Sequence, residues 1–390
     1  MIKKIVLLSF LVFSFFLIIS SVAAANYYVN TSTKHSDIAN WMKKDAKNGD
    51  NLIFTGSKYD LTDTIVVSKS VNIKSVNKTQ INLKKSKNMF NVTVSGVNFD
   101  GLSLKLSCEN YGDYGGVYVI CAPYASGSSK KINIKNTDIN TTGYSEAISI
   151  DNWYGNITNC KINMESNDYH VGIGGYKWVG SIMNSKISAG KRCTPIGFEQ
   201  WNGNIVNSKI HSKFNSIGSI HRWSGKITGS NLSCPGDLNW EGVSLDNSKG
   251  TISNSTITVK RGIALGICDE VKVINCSITS GKNYSKIFRY RPDLFIGSVK
   301  KSGTTYNIYY DNIMFTDSKP CYLVVKCGDI ILKKIHVNSL KGEIMSPGKT
   351  VKVSIPDKYA NTKYTKTAII DYYNENKEYD RKNNYYNFKF

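Results

Sequence analysis

A five-residue phrase, Trp, any residue, Gly, any residue, Ile, recurs through the middle of the chain and restricts what it can fold into. It stands at 153–157, 178–182, 201–205 and 223–227, with copies 22 to 25 residues apart. A period of that size marks a chain that stacks one structural unit on itself. Aligned on the last residue of the phrase, the unit extends to anchors at Phe99, Ile134, Ile157, Ile182, Ile205, Ile227, Ile252 and Val273. Five residues after each comes Leu or Ile: Leu104, Ile139, Ile162, Ile187, Ile210, Leu232, Ile257 and Ile278. Between them stand Asn136, Asn159, Asn184, Asn207, Asn254 and Asn275, with Gly101 and Gly229 in the remaining coils. Asn and Gly tolerate left-handed backbone, so this column predicts one turn repeated down the stack, its amides bonded inward from coil to coil. Asn254 and Asn275 are also two of nine N-x-S/T sequons, and an inward amide would leave both unglycosylated.

A second short strand follows in each coil: Ile148-Ser149-Ile150, Val171-Gly172-Ile173, Ile196-Gly197-Phe198, Ile217-Gly218-Ser219, Val243-Ser244-Leu245 and Ile263-Ala264-Leu265. Its alternation has the period of two that strands require. Leucine-rich repeats share the period but need a Leu-rich return path, whereas the returns here are rich in Gly, Ser, Asn and Tyr. The reading is therefore all-β, a parallel β-helix. Ahead of the coils, Ser36 is placed to cap a short amphipathic helix through Ile38, Trp41, Met42 and Ala46. This helix and the turn at Gly49-Asp50 resemble the N-terminal cap of right-handed, single-stranded parallel β-helix proteins of the pectin-lyase-like class, over roughly residues 36–285. A cap is needed because an end coil exposes an unpaired strand edge.

The periodicity stops near Ile287. Strand-like runs follow at 306–310, 321–326, 330–337, 350–355 and 368–372, separated by turn signals, and read as a small antiparallel β-sandwich over 291–390. Pro292-Asp293-Leu294, Pro347-Gly348-Lys349-Thr350-Val351, Asp371, Glu378 and Asn383-Asn384 make this part similar to the cell-adhesion-related domain of immunoglobulin-like fold found in prokaryotic surface proteins. With the β-helix at 26–290, the whole resembles the adhesin-like surface proteins of methanogenic archaea.

Residues 1–25 carry Lys3 and Lys4, an apolar run from Ile5 to Ile19 and an Ala23-Ala24-Ala25 ending, the pattern of a secretory leader cleaved after Ala25. The expected product is secreted or displayed at the cell surface, without a transmembrane anchor after cleavage and as a monomer. The formal charge of the whole chain is +21. So basic a surface favours a glycan or acidic envelope polymer as partner. Nucleic acid, the other polyanion, is set aside because export opposes it and no nucleic-acid-binding motif is present. Of nine cysteines, Cys108 and Cys121 bracket an insertion and form the expected disulfide, while Cys160 and Cys276, five coils apart, lie about 24 Å from each other at the usual strand spacing.

Pectin-lyase-like folds carry lyases, hydrolases and non-catalytic binders alike. The Asp-Asp and Gly-His-Gly strings of polygalacturonases and the calcium-binding Asp clusters of pectate lyases are absent from this sequence. What remains is a column just after the second strand, Asp151, Tyr176, Glu199, His221, Asp246 and Asp269, in which Glu199, His221 and Asp246 with Arg222 would place an acid, a base and a cation side by side. No cofactor and no metal site is expected, since the five histidines have no paired ligand spacing. The Trp column has two readings. Facing outward, Trp153, Trp178, Trp201 and Trp223 would form a strip on which sugar rings lie, flanked by Asp151 and Arg222. Facing inward they are core, which an extended Trp-x-Gly-x-Ile segment favours and a turn at the Gly would reverse.

Overall fold

The computed structural model describes residues 23–110, 116–124, 130–166, 170–190, 193–236, 241–303, 305–314, 316–342, 348–360, 362–378 and 380–389. The leader's apolar run lies outside the described residues. The anchors from Phe99 to Val273 pair successively, residue on residue, in one parallel sheet. The column continues upstream through Ile73, Leu52 and Tyr27, in coils that lack the Trp phrase. The second column, Leu104 to Ile278, forms another parallel sheet, extended upstream by Ile81 and Tyr59. A third parallel sheet closes each coil, from Ile65–Val67 to Ile287–Arg289, giving a β-solenoid of about 11 turns. Burying one such Ile or Leu per sheet per coil contributes about 1.5–3 kcal/mol each.

In the third sheet the register differs from the sequence alignment. Ile196 pairs with Ile173 and Gly218, and Leu245 with Ile220, so the triplets slide by one or two residues. The loops entering this sheet vary in length, and apolar alternation alone does not fix a slip.

The Asn column takes the expected left-handed backbone, with φ of 51° at Asn136, 54° at Asn159, 50° at Asn184, 49° at Asn207, 48° at Asn254 and 51° at Asn275. Its side chains, however, are exposed, so the inward orientation is corrected and burial does not shield the Asn254 and Asn275 sequons, while the coil-to-coil amide bond is present where Asn159 Nδ2 donates to Asn136 Oδ1 at 3.3 Å. Backbone conformation selects Asn here. The buried ladder lies one residue later. The amide of Cys160 donates to Ser185 Oγ at 3.1 Å, that of Ser185 to Ser208 at 3.1 Å, that of Ser208 to Ser230 at 3.2 Å and that of Ser230 to Ser255 at 3.2 Å. Each hydroxyl thus satisfies a buried N–H one coil away, which apolar pairing cannot do.

At the N-terminal end the helix spans His35–Asn40, and Asp37 in its first turn reaches back to accept from the amide of the capping residue Lys34 at 3.1 Å. Ser36, the expected cap, instead sits inside the helix. Ile38, Trp41, Met42 and Ala46 are buried as the amphipathic pattern requires, and Trp41 stacks on Tyr27 of the first strand at 4.9 Å.

All nine cysteines are free, so the Cys108–Cys121 disulfide is corrected. Cys108 is buried, with its thiol donating to the Asn110 carbonyl at 2.7 Å, whereas Cys121 occupies a half-exposed position of its strand.

Beyond the coils a three-stranded antiparallel sheet (Leu294–Ser302, Thr305–Asn312, Lys349–Ser354) faces a four-stranded one (Ile330–Val337, Cys321–Cys327, Lys366–Ile369, Tyr385–Phe388) across a separate buried core. Of the residues behind the cell-adhesion resemblance, Lys349, Thr350 and Val351 pair with the Thr305–Asn312 strand, Pro347 lies outside the described residues, and Asp293, Leu294, Asp371, Glu378, Asn383 and Asn384 tie the ends of this part together. Glu378 accepts from the Leu294 amide at 2.8 Å and from Asn384 Nδ2 at 2.6 Å. Asp293 accepts from Asn383 at 2.9 Å, and the fully buried Asp371 accepts from the amides of Glu375 and Asn376. The set is a structural clasp between the first strand of this part and the chain's last segment.

Candidate functional site

The four indoles are core. Trp153 is 0% exposed and Trp178, Trp201 and Trp223 are 1% exposed, so the sugar-stacking strip is corrected. Trp178 and Trp201 stack at 5.1 Å with planes 12° apart, and Phe198 packs on both. Two ring N–H groups use the phrase's glycine: Trp201 Nε1 donates to the Gly180 carbonyl at 2.8 Å and Trp223 Nε1 to that of Gly203 at 2.9 Å, whereas Trp153 Nε1 donates to the Pro123 carbonyl at 2.9 Å. Glycine is required because a Cβ at Gly180 or Gly203 would collide with the carbonyl of the glycine one coil earlier.

The polar column forms at the end of the third sheet, where each strand turns toward the first. Phe198 pairs with Ile220 and His221 with Asp246, which sets Glu199, His221 and Asp246 on successive coils. His221 Nδ1 lies 2.5 Å from Asp246 Oδ2, and Nε2 lies 3.8 Å from Glu199 Oε1, which is also 3.8 Å from Arg222 Nη1. The hydrogen bond to Asp246 raises the His221 pKa above the ordinary imidazole value, with the charges of Asp246 and Glu199 adding to it. Asp151 stands two coils above Glu199 and accepts from the Tyr176 amide at 2.8 Å, and burial pushes its carboxyl up. Asp269 does not join the column. Leu245 pairs with Ile267, which brings Cys268 next after Asp246, and Asp269 instead faces Arg289 at 3.6 Å.

One residue further along, the turn into the first sheet has positive φ in four coils: Asn152 at 59°, Lys177 at 54°, Arg222 at 54° and Asn247 at 50°. Asn is at ease in this conformation, whereas a long side chain is not, and departures of this kind cluster at functional positions. Lys177 and Arg222 line an open groove of about 500 Å³, with Asn152, Gln200, Asn202 and Lys341. A second hollow of about 410 Å³ shares Arg222, Ser224 and Lys341 with it and adds Lys249, Glu270 and Asp317. Lys177 rests over the Tyr176 ring at 5.0 Å, and Lys341 is held by Asp317 at 3.0 Å. Asp317 in turn exchanges hydrogen bonds with Asn247, joining the last coils to the C-terminal part.

Sequence reading found Arg222 and the Glu199, His221 and Asp246 column but missed Lys177, Lys249 and Lys341. Lys177 had a signal, a cation at a turn position that Asn fills in the coil before it. Lys341 had none, since it comes from outside the repeat. Among the described residues no cluster of His, Cys, Asp and Glu is arranged to hold a metal.

No known family matches the sequence, and no curated protein does. Among solved structures, the chain is similar to the Dettilon tailspike protein, with a TM-score of 0.38, 11% identity, and coverage of 79% of this chain and 83% of that one. It is also similar to a protein of Geobacillus virus E2, with a TM-score of 0.35, 11% identity, and coverage of 85% and 77%. Tailspike protein 2 of the Escherichia coli O157:H7 bacteriophage CAB120 gives a TM-score of 0.32 and 10% identity over 90% of this chain and 65% of that one. Likeness at this level says nothing about what this chain binds.

Proposed function

We propose that this is an exported, adhesin-like protein of the cell surface that holds an acidic glycan or envelope polymer without turning it over. The observation that carries this reading is the pair Lys177 and Arg222, set in left-handed turns and lining one open groove. Planar guanidinium and mobile ammonium groups beside amides at Asn152, Gln200 and Asn202 suit carboxylates and hydroxyls on a sugar chain. The excess of Lys and Arg over Asp and Glu, which persists without the leader's Lys3 and Lys4, adds long-range attraction for such a polymer. No helix among the described residues is long and apolar enough to cross a membrane. The test is binding of the full chain to polygalacturonate and to neutral dextran at rising salt. Lys177→Asn with Arg222→Asn removes both charges while keeping residues suited to the turns. It should weaken polygalacturonate binding about tenfold or more and flatten its salt dependence. Unchanged binding would remove the groove.

A second reading, a polysaccharide lyase or hydrolase, is favoured by one observation, the placement of His221 between Asp246 and Glu199 with Arg222 alongside. Against it, the raised pKa leaves a smaller fraction of His221 as free base at neutral pH. Reducing-end and unsaturated-uronate assays decide. Turnover lost in Glu199→Gln and His221→Ala supports the enzyme, and turnover that survives both places the chemistry elsewhere.

A further inference from the structure

The outer face of the four-stranded C-terminal sheet carries apolar and aromatic side chains that its own core does not use. Along Cys321–Cys327 the core takes Leu323 and Val325, so Val324 points the other way, and along Lys366–Ile369 the core takes Ala368, so Ile369 does too. Lys334, Val324, Ile369 and Tyr385 lie side by side across the four strands. Val324 is 0% and Ile369 5% exposed, although both face outward, so neighbouring side chains roof them over.

That roof is aromatic and cationic. Lys334 Nζ sits 3.9 Å from the centre of the Tyr322 ring and 4.4 Å from that of Tyr373, and donates to the Tyr373 hydroxyl at 3.1 Å. Tyr322 and Tyr373 meet edge to face at 5.6 Å, and His336 meets the far side of the cluster through Tyr322 at 5.4 Å. Tyr373 and Tyr385 are each about half exposed, at 49% and 51%. These contacts hold Tyr322 and Tyr373 in place before any ligand arrives, which lowers the ordering cost of binding.

We infer that this face is a second glycan-binding surface, on which successive sugar rings of an acidic polysaccharide stack against Tyr373 and against Tyr385 while Lys334 meets a carboxylate of the chain. The chemistry selects a sugar over an apolar protein partner. Beside Lys334 the apolar residues of this face, Val324 and Ile369, are buried, while the accessible rim is phenol and ammonium, the combination that pairs with the C–H face and the polar edge of a pyranose. Glu375, the nearby carboxylate, acts on Lys334 only as one of its smaller electrostatic neighbours. The surface stands on its own observations, apart from the groove along the coils, and two separated sites on one chain would grip a long polymer with avidity.

Affinity electrophoresis of the full chain through gels containing polygalacturonate or dextran tests it. Tyr373→Ala and Lys334→Gln should each weaken polygalacturonate binding about tenfold, while Tyr373→Phe, which keeps the ring, changes it by less than about threefold. Circular dichroism and melting check the fold of each variant, and the exposed Tyr385→Ser replaces Tyr373→Ala if the latter is unfolded. The Lys177→Asn, Arg222→Asn variant runs alongside. Loss there with wild-type retention in Tyr373→Ala and Lys334→Gln overturns the second surface and leaves the groove standing, and the converse overturns the groove alone. Folded variants that bind both probes like the wild type overturn the second surface.

Discussion

The coils and the C-terminal sheets solve the same problem, pairing the polar groups that a core of strands buries, in opposite ways. In the coils a solution recurs from tier to tier: an apolar anchor, a left-handed turn, a Ser hydroxyl on a neighbouring amide, an indole on a glycine carbonyl. The C-terminal part uses a solution once. Its clasp ties Asp293, Asp371, Glu378, Asn383 and Asn384 into a network that does not recur among the described residues. Repetition spreads stability over many equivalent contacts, whereas a single network concentrates it in a few residues.

The largest test of that contrast is Trp201→Ala. Removing a buried indole that stacks on Trp178 and Phe198 should cost about 3–5 kcal/mol, read by denaturant unfolding. The loss should appear in a transition assigned to the coils, and an equal shift of the C-terminal transition would show that the two parts unfold as one. Next comes pH. Burial pushes the Glu378 carboxyl up to about 7, with Asp371 adding to the effect. A carboxyl whose folded pKa exceeds its unfolded value makes the fold lose stability as pH rises from about 4.5 to about 7, with little further change on either side. Melting across that window should show the slope in the C-terminal transition, and Glu378→Gln should flatten it.

Smaller is the cost of a turn. Asn207→Ala forces Ala into a φ of 49° and should cost about 1–2 kcal/mol, while Asn207→Gly stays within a few tenths. Equal costs for the two would return the role to the side chain. The smallest effect is that of Asp246→Asn, which removes the leading cause of the raised His221 pKa. NMR titration should find the imidazole midpoint lowered. The wild type's advantage from this pair, present in full below about pH 6.5, fades as pH climbs through the raised value.

The same contrast explains how much could be read from the sequence. Phe99 to Val273 and Leu104 to Ile278 were legible because a periodic column is a signal repeated eight times. Ile73, Leu52 and Tyr27 were missed because their coils share the anchor but neither the Asn or Gly two residues on nor the Leu or Ile five residues on. The direction of the tryptophans hinged on whether the chain stays extended through the glycine, and the Gly180 and Gly203 carbonyls that fix the indoles become visible only once coils are stacked. Ser185, Ser208, Ser230 and Ser255 were overlooked because Ser on a turn reads as solvated. The groove was half legible: Arg222 belongs to the repeat, but Lys341 arrives from a part of the chain whose contacts no period predicts.

The indole relay has a consequence for how such a chain changes over time. Trp201 and Trp223 each reach the glycine carbonyl one coil earlier, and Ser208 and Ser230 each accept from the amide of the serine one coil earlier, so these coils meet their neighbours through matching groups at their upper and lower surfaces. A whole coil can then be copied or excised in the gene and the seam will close on matching chemistry. The chain is measured out in tiers, and the distance from its capped end to its groove is a number of tiers, adjustable without redesigning either.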